Sequence, residues 1–239
     1  MSNPSIYLIT GVSRGLGWGL ASAALQQGAR VIGCSRSQPE AFTNSSRLTF
    51  VQGDLTRKET IDCLVEAVEK AGGKVDAVIL NAAVIGKIGE LKDTSTDAMA
   101  EVMEINAWAS KRLLDGLLAT ARRISQVVAI SSGASINAYR GWANYSLSKR
   151  VLNGLMEFYA LECPDTHFSS LAPGLIDSAM QDYLTGLPSD PRYPALETLK
   201  TAKGTDDMPT PEVAGERIFN ALDSLRKHPS GSYLDIRTL

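Results

Sequence analysis

Apolar and polar residues alternate along this chain in blocks with two different periods. Ile6–Thr10, Arg30–Cys34, Leu48–Val51, Val75–Leu80, Gln126–Ser131, His167–Leu171 and Gly231–Ile236 are short runs rich in β-branched and apolar residues, the pattern of buried strands. Between them lie longer stretches with helical spacing. One follows the first strand to about Gln27, and another opens at Thr56-Arg-Lys-Glu59, which has capping-box spacing, and runs to about Ala71. A third spans Thr94 to about Arg123, with Met99, Val102, Met103, Leu113, Leu114 and Leu117 on one side. Trp142–Cys163 reads as a further long helix. Thr210-Pro211-Glu212 reads as a helix start with a cap residue and then proline, continuing to about Arg226.

Strand followed by helix, repeated to the end, predicts an α/β fold in which a parallel sheet is wrapped on both faces. No linker breaks the alternation, so residues 1–239 are expected to form a single domain. The irregular part is Leu184–Met208, with Pro188, Pro191 and Pro194 among charged residues. It reads as a loop-rich excursion, residues 184–208, suited to a lid over a site.

Composition narrows the function. The formal net charge is -2 and no Lys/Arg block occurs, which argues against nucleic-acid binding. Cys34, Cys63 and Cys163 are too scattered for a disulfide framework or a zinc site, and His167 and His228 stand alone, so no metal is expected. Met1–Ser5 lacks a basic leader, and no apolar segment reaches the length of a membrane span. The expectation is a soluble, cytoplasmic protein that does not engage a membrane.

Three motifs carry chemistry. Thr10-Gly11-Val12-Ser13-Arg14-Gly15-Leu16-Gly17 sits between the first strand and the first helix, where glycines let a pyrophosphate approach the backbone and the helix start. After the second strand the sequence reads Gly33-Cys34-Ser35-Arg36, without the carboxylate that would bond an adenosine ribose. Arg36 and Arg14 are instead placed to clamp a 2′-phosphate, which favours NADP(H) over NAD. Tyr145 and Lys149 are four apart on a helix and share a face. A phenol has a pKa of about 10, and an adjacent ammonium is expected to lower it toward acid–base use near neutral pH. Ser132, at the end of the fifth strand, is positioned to bond a carbonyl oxygen beside the phenol.

These motifs, in this order, resemble the short-chain dehydrogenase/reductase family over essentially the whole chain. The resemblance implies a single Rossmann-fold domain with a doubly wound seven-stranded parallel sheet in the order 3-2-1-4-5-6-7. It implies Asn106, Ser132, Tyr145 and Lys149 as the catalytic set, with Asn106 supporting a water-mediated proton relay. The implied cofactor contacts are Gly11, Ser13, Arg14, Gly15, Leu16, Gly17, Ser35, Arg36, Asp54, Leu55, Asn81, Ala82, Ala83, Tyr145, Lys149, Pro173, Gly174, Ile176 and Ser178. Ala83 stands where the family has glycine, and Ser178 where threonine is common. Pro173-Gly-Leu-Ile-Asp-Ser-Ala-Met180-Gln181 and the ending Gly231–Arg237 are similar to the sepiapterin reductase and benzil reductase branch. This implies reduction of a ketone or aldehyde, with an α-dicarbonyl, an aromatic ketone or a pterin side-chain carbonyl as candidate small-molecule substrate.

Ala134, Tyr139 and Trp142 before the tyrosine, and Met180, Tyr183 and Leu184 after the Pro-Gly loop, are candidate substrate-pocket residues. Family members pair their long helices, so a homodimer or homotetramer is expected. A non-catalytic NADP-binding sensor, or an alcohol dehydrogenase running in the oxidative direction, is the alternative. An intact Ser132, Tyr145 and Lys149 set disfavours the sensor.

Overall fold

In the computed structural model, which describes residues 4–239, seven strands form one sheet: β1 (Ile6–Thr10), β2 (Arg30–Ser35), β3 (Leu48–Gln52), β4 (Ala77–Leu80), β5 (Gln126–Ile130), β6 (His167–Ala172) and β7 (Ser232–Asp235). Every neighbouring pair is parallel, and the order is β3-β2-β1-β4-β5-β6-β7. The chain winds outward in one direction from β1 and in the other from β4. A crevice therefore opens at the carboxyl ends of these two strands, where sheets of this kind bind ligands.

Period-two alternation sorts the side chains onto two cores. Ile9, Ile79 and Val128 point to the face covered by α1 (Gly15–Gln26) and α8 (Pro211–Leu225). Their neighbours Leu8, Val78 and Val127 point to the face covered by α2 (Lys58–Lys70), α4 (Ala109–Thr120) and α5 (Ala143–Glu162). Because both faces are covered, β4 and β5 are buried along their entire length. Helices α1 and α8 meet at glycines: a Cβ on Gly19 would lie 1.8 Å from the Pro211 carbonyl oxygen.

Several boundaries differ from the sequence expectation, each for a local reason. The Thr56–Glu59 capping box does not form. The Thr56 amide and hydroxyl both donate to Asp54 Oδ1, at 2.9 and 2.8 Å, and α2 starts at Lys58 without a side-chain cap. The Thr94–Arg123 helix is three pieces, namely α3 (Thr96–Met103) capped by Ser95, a π-helical turn at Glu104–Trp108, and α4. Arg123–Ile124 instead pairs with Lys74–Val75 in a separate two-stranded ladder, so the expected strand Val75–Leu80 is broken at Asp76. The Asp76 carboxylate accepts from the Ile6 amide at 2.7 Å.

The excursion at residues 184–208 is less loop-like than expected. It follows α6 (Ala179–Thr185) and contains α7 (Pro194–Ala202), which starts with proline at its first turn and buries Leu196 and Leu199. These leucines join Ile85, Ala134, Trp142, Tyr145, Leu184 and Tyr193 in a third apolar cluster, apart from the two sheet cores. Lys203 forms an ion pair with Asp182, linking the end of α7 to α6.

Candidate active site

The carboxyl ends of the strands open into one cavity of about 1070 Å³. At its first end the chain leaves β1 through Gly11 and Gly15, at φ 78° and 57°, conformations in which a side chain is strained. Helix α1 then begins with no side-chain cap on its first turn, leaving N–H groups available to an anion. Gly11, Ser13, Arg14, Gly15 and Leu16 line the cavity. Gly17 does not; its Cα packs so close to the loop that a Cβ would sit 2.2 Å from the Gly11 carbonyl oxygen. This packing keeps the turn tight.

The neighbouring strand ends complete this half. Ser35, Arg36, Asp54 and Leu55 line the cavity, and both Arg14 and Arg36 are exposed. The Ser35 hydroxyl donates to the Ser37 carbonyl at 2.8 Å. Hydrogen bonds from the Thr56 amide and hydroxyl, helped by the charges of Arg36 and Arg57, hold the Asp54 carboxyl below the usual carboxylate range. Asn81, Ala82 and Ala83 also line it, and the first two are tied to β1: their amides donate to Thr10 Oγ1 at 2.9 and 3.0 Å. Ala83 takes the glycine position without strain, since among the described residues only glycines have positive φ.

Ser132, Tyr145 and Lys149 come together deeper in the cavity. Ser132 ends the β5 segment and its hydroxyl accepts from the Ala134 amide at 3.1 Å. Tyr145 and Lys149 rise from α5 and are 8% and 1% exposed. The Lys149 ammonium donates to the Ile130 carbonyl at 2.7 Å and lies 5.8 Å from the centre of the Tyr145 ring. Burial pushes the Tyr145 phenol up to about 12, opposed by hydrogen bonding to Ser132. Burial pulls the Lys149 ammonium down to about 7. Burial thus moves the phenol away from the expected acidic value. Burial favours the neutral, proton-donating form of Tyr145 and works against the charge on Lys149.

Asn106 lies outside the cavity wall and is fully buried in the π-helical turn. Its Oδ1 accepts from the Val84 amide at 2.8 Å, and its Nδ2 donates to the Val84 carbonyl at 2.8 Å and to Ser148 Oγ at 2.9 Å. Both amide hydrogens are committed, so the side chain fixes the loop after β4 to α5. A π-turn at this position is the kind of helix irregularity that clusters at functional sites.

The remaining predicted residues converge. Pro173, Gly174, Ile176 and Ser178 line the cavity after β6, with Gly174 at φ 77°. Ala134, Tyr139, Trp142, Met180, Tyr183 and Leu184 line its far end, and the Trp142 ring packs edge-on against both Tyr139 and Tyr145. Sequence reasoning missed Ile85, Gln181, Ala195, Thr198, Leu199 and Arg237, which line the same end. The i, i+3 pair Leu196 and Leu199 was the available signal for α7. Arg237 follows β7 and was accessible from the rule that sites gather past the carboxyl ends of strands; Asp235 holds its Nε at 2.9 Å. Among the described residues no cluster of His, Cys, Asp and Glu is placed to share a metal ion, and no helix is long and apolar enough to cross a membrane.

Comparison with known proteins places this geometry among relatives. The sequence model of the family described as short chain dehydrogenase matches residues 5–186. An uncharacterized oxidoreductase of Schizosaccharomyces pombe is 34% identical over 182 residues, covering 74% of this chain and 72% of the relative. A Saccharomyces cerevisiae benzil reductase that forms (S)-benzoin is 26% identical over 248 residues, covering 96% and 94%. The crystal structure of a short chain dehydrogenase/reductase from Saccharomyces cerevisiae, YIR035C, superimposes with a TM-score of 0.87 at 25% identity, covering 97% of this chain and 96% of that one.

Proposed function

This chain belongs to the short chain dehydrogenase family of oxidoreductases, and from that premise we propose that it is an NADP(H)-dependent carbonyl reductase acting on ketones or aldehydes flanked by a second carbonyl or an aromatic ring. The observation that carries the reading is the meeting of Ser132, Tyr145 and Lys149 in the buried end of a cavity whose other end is the glycine loop.

The residues fit a dinucleotide. Gly11 and Gly15 adopt positive φ, Gly17 has no room for a Cβ, and the uncapped start of α1 faces the cavity. Gly11, Ser13, Arg14, Gly15 and Leu16 would cradle the pyrophosphate, with Arg14, Ser35 and Arg36 at the 2′-phosphate and Asp54 and Leu55 at the adenine. Asn81, Ala82, Ala83, Pro173, Gly174, Ile176 and Ser178 would flank the nicotinamide half, where Lys149 meets its ribose. Bound there, the reduced nicotinamide supplies the hydride.

The protein's own work is positional and protonic. Ser132 and Tyr145 donate hydrogen bonds to the substrate carbonyl oxygen, and Tyr145 gives up its proton as that oxygen becomes an alkoxide. The product is the alcohol. Lys149 stabilises the phenolate left behind, and Asn106 keeps the Val84 loop in register from outside the cavity. Tyr139, Trp142, Met180 and Leu184 offer an apolar and aromatic wall that suits a flat substrate, in keeping with the benzil reductases among the relatives.

The same reading expects a homodimer or homotetramer. Phe158 and Leu161 on α5 are 66% and 79% exposed, apolar surface that pairing of the long helices would bury. It also places the protein in the reducing cytoplasm, where Cys34, Cys63 and Cys163 stay free.

The test is loss of NADPH absorbance with a panel of 1,2-diketones, aromatic ketones, aldehydes and pterins, repeated with NADH. Turnover with diketones and NADPH is expected. Tyr145→Phe is expected to lower turnover by about a thousandfold with NADPH still bound. No turnover across the panel, or near-normal turnover by the phenylalanine variant, refutes the reading.

A further inference from the structure

Behind Ser132 runs a buried hydrogen-bond chain that the proposed reaction does not use. The Ser131 hydroxyl donates to Asn153 Oδ1 at 2.6 Å, Asn153 Nδ2 donates to Ser135 Oγ at 2.9 Å, and the Ser135 hydroxyl donates to the Ser132 carbonyl oxygen at 2.7 Å. All three side chains are buried, with exposures of 2%, 8% and 3% for Ser131, Asn153 and Ser135. The Ser132 carbonyl accepts two more hydrogen bonds, from the Ser135 amide at 2.9 Å and the Tyr233 hydroxyl at 3.4 Å.

The placement of Asn153 gives this chain its meaning. It lies one turn beyond Lys149 and two beyond Tyr145 on α5, so the three share a face. Lys149 ties that face to the Ile130 carbonyl, and Asn153 ties it to the next residues of the same segment. One helix thus carries the phenol and also grips the turn that carries the Ser132 hydroxyl. Asparagine is a poor interior helix residue, and Asn153 sits between the buried Leu152 and Met156. A leucine would serve the helix better. Only a side chain with both an acceptor and a donor can take a hydrogen from Ser131 and give one to Ser135.

We infer that Asn153, acting through Ser135, is a positioning residue that sets the Ser132 hydroxyl against the Tyr145 phenol. The inference rests on the reductase reading for its kinetic consequence. The clamp itself is a statement about the protein without ligand and is measured separately.

The experiment uses Ser135→Ala, Ser135→Thr and Asn153→Leu, each with and without Ser132→Ala. Hydrogen–deuterium exchange in the cofactor-free protein reads the clamp directly. Ser135→Ala and Asn153→Leu should speed exchange in the 132–137 segment and leave the sheet unchanged. In turnover with NADPH and a diketone, both should lower kcat about tenfold, the scale of one lost buried hydrogen bond, with KM for NADPH unchanged. Because the Ser132 hydroxyl favours the phenolate, both should also move the alkaline limb of the kcat profile upward. Ser135→Thr keeps the hydroxyl and should restore most of the rate. In the Ser132→Ala background neither substitution should cost anything further. Losses that add in full to that of Ser132→Ala, or unchanged exchange in the 132–137 segment, overturn the inference. If Asn153→Leu does not fold, the Ser135 pair decides alone. A wild-type protein that reduces no carbonyl would refute the reductase reading, and the exchange result would still stand for or against the clamp.

Discussion

On the glycine-loop side of the cavity the walls come from residues 11, 13–16, 34–37, 53–55 and 81–84, each stretch lying where a strand ends. On the lid side they come from residues such as Tyr139, Trp142, Met180, Leu199 and Arg237, gathered from loops, short helices and the last residues of the chain. The first wall owes its shape to backbone, with glycines in positive φ and a helix start aimed inward. The second is built of side chains that form their own apolar cluster, apart from the sheet cores. At Gly11 and Gly17 the backbone wall leaves no room for an added Cβ, whereas side-chain walls can be exchanged one residue at a time. In the proposed reaction the wall that meets the shared cofactor is the inflexible one, and the wall that meets the substrate is the adjustable one.

The strongest way to break this contrast is Gly17→Ala. Its methyl would lie 2.2 Å from the Gly11 carbonyl oxygen and 2.4 Å from Asn81 Nδ2, which itself donates to the Thr10 carbonyl at 2.9 Å. The loop has to move, and overpacking of this kind costs about 1–3 kcal/mol. NADPH affinity, measured by fluorescence titration, should fall about a hundredfold, with a lowered Tm. An alanine variant that binds NADPH like the wild type would show that this wall is as forgiving as the other.

Arg36→Ala sharpens the contrast, because it is a side-chain change on the backbone side. The guanidinium is exposed, so its hydrogen bonds to a 2′-phosphate work partly against water. NADPH binding should weaken about tenfold, with NADH affected little, and titration with both nucleotides separates the cases. Equal losses for the two would remove the phosphate-clamp argument and leave the glycine loop as the whole of cofactor recognition.

The same division governs what could be read from residue order alone. Strand–turn–helix alternation and the spacing of Ser132, Tyr145 and Lys149 are local patterns, and all three residues line one cavity. The features that escaped depend on contacts between distant segments. Asn106 is fully buried and committed to Val84 and Ser148. Thr56 is captured by Asp54 before it can cap a helix. Pro194 opens a real helix inside a stretch whose prolines and charges suggested a loop. The phenol–ammonium pair is modified by burial, which spacing does not reveal: Tyr145 is pushed up and Lys149 pulled down.

The gentlest probe lies on the lid side. Trp142 is 7% exposed, and its indole N–H has no hydrogen-bond partner among the described residues. A buried donor left unpaired costs about 1–3 kcal/mol, which would offset part of what the ring contributes by packing. Trp142→Phe keeps an aromatic ring against Tyr139 and Tyr145 but removes the donor together with the rest of the five-membered ring. The lost packing and the lost unpaired donor act in opposite directions, so the Tm of the variant should stay within a few degrees of the wild type. If the ring turns so that the N–H meets the second oxygen of a diketone, the substitution has a functional cost. The value of kcat/KM for a 1,2-diketone should fall about threefold to tenfold, while that for a single aromatic ketone stays level. A variant with wild-type rates on both substrates would leave the donor without a role in the reaction. Equal losses on both would assign Trp142 to shape alone. Only a loss confined to the diketone fits a side-chain wall that reads the substrate's second carbonyl.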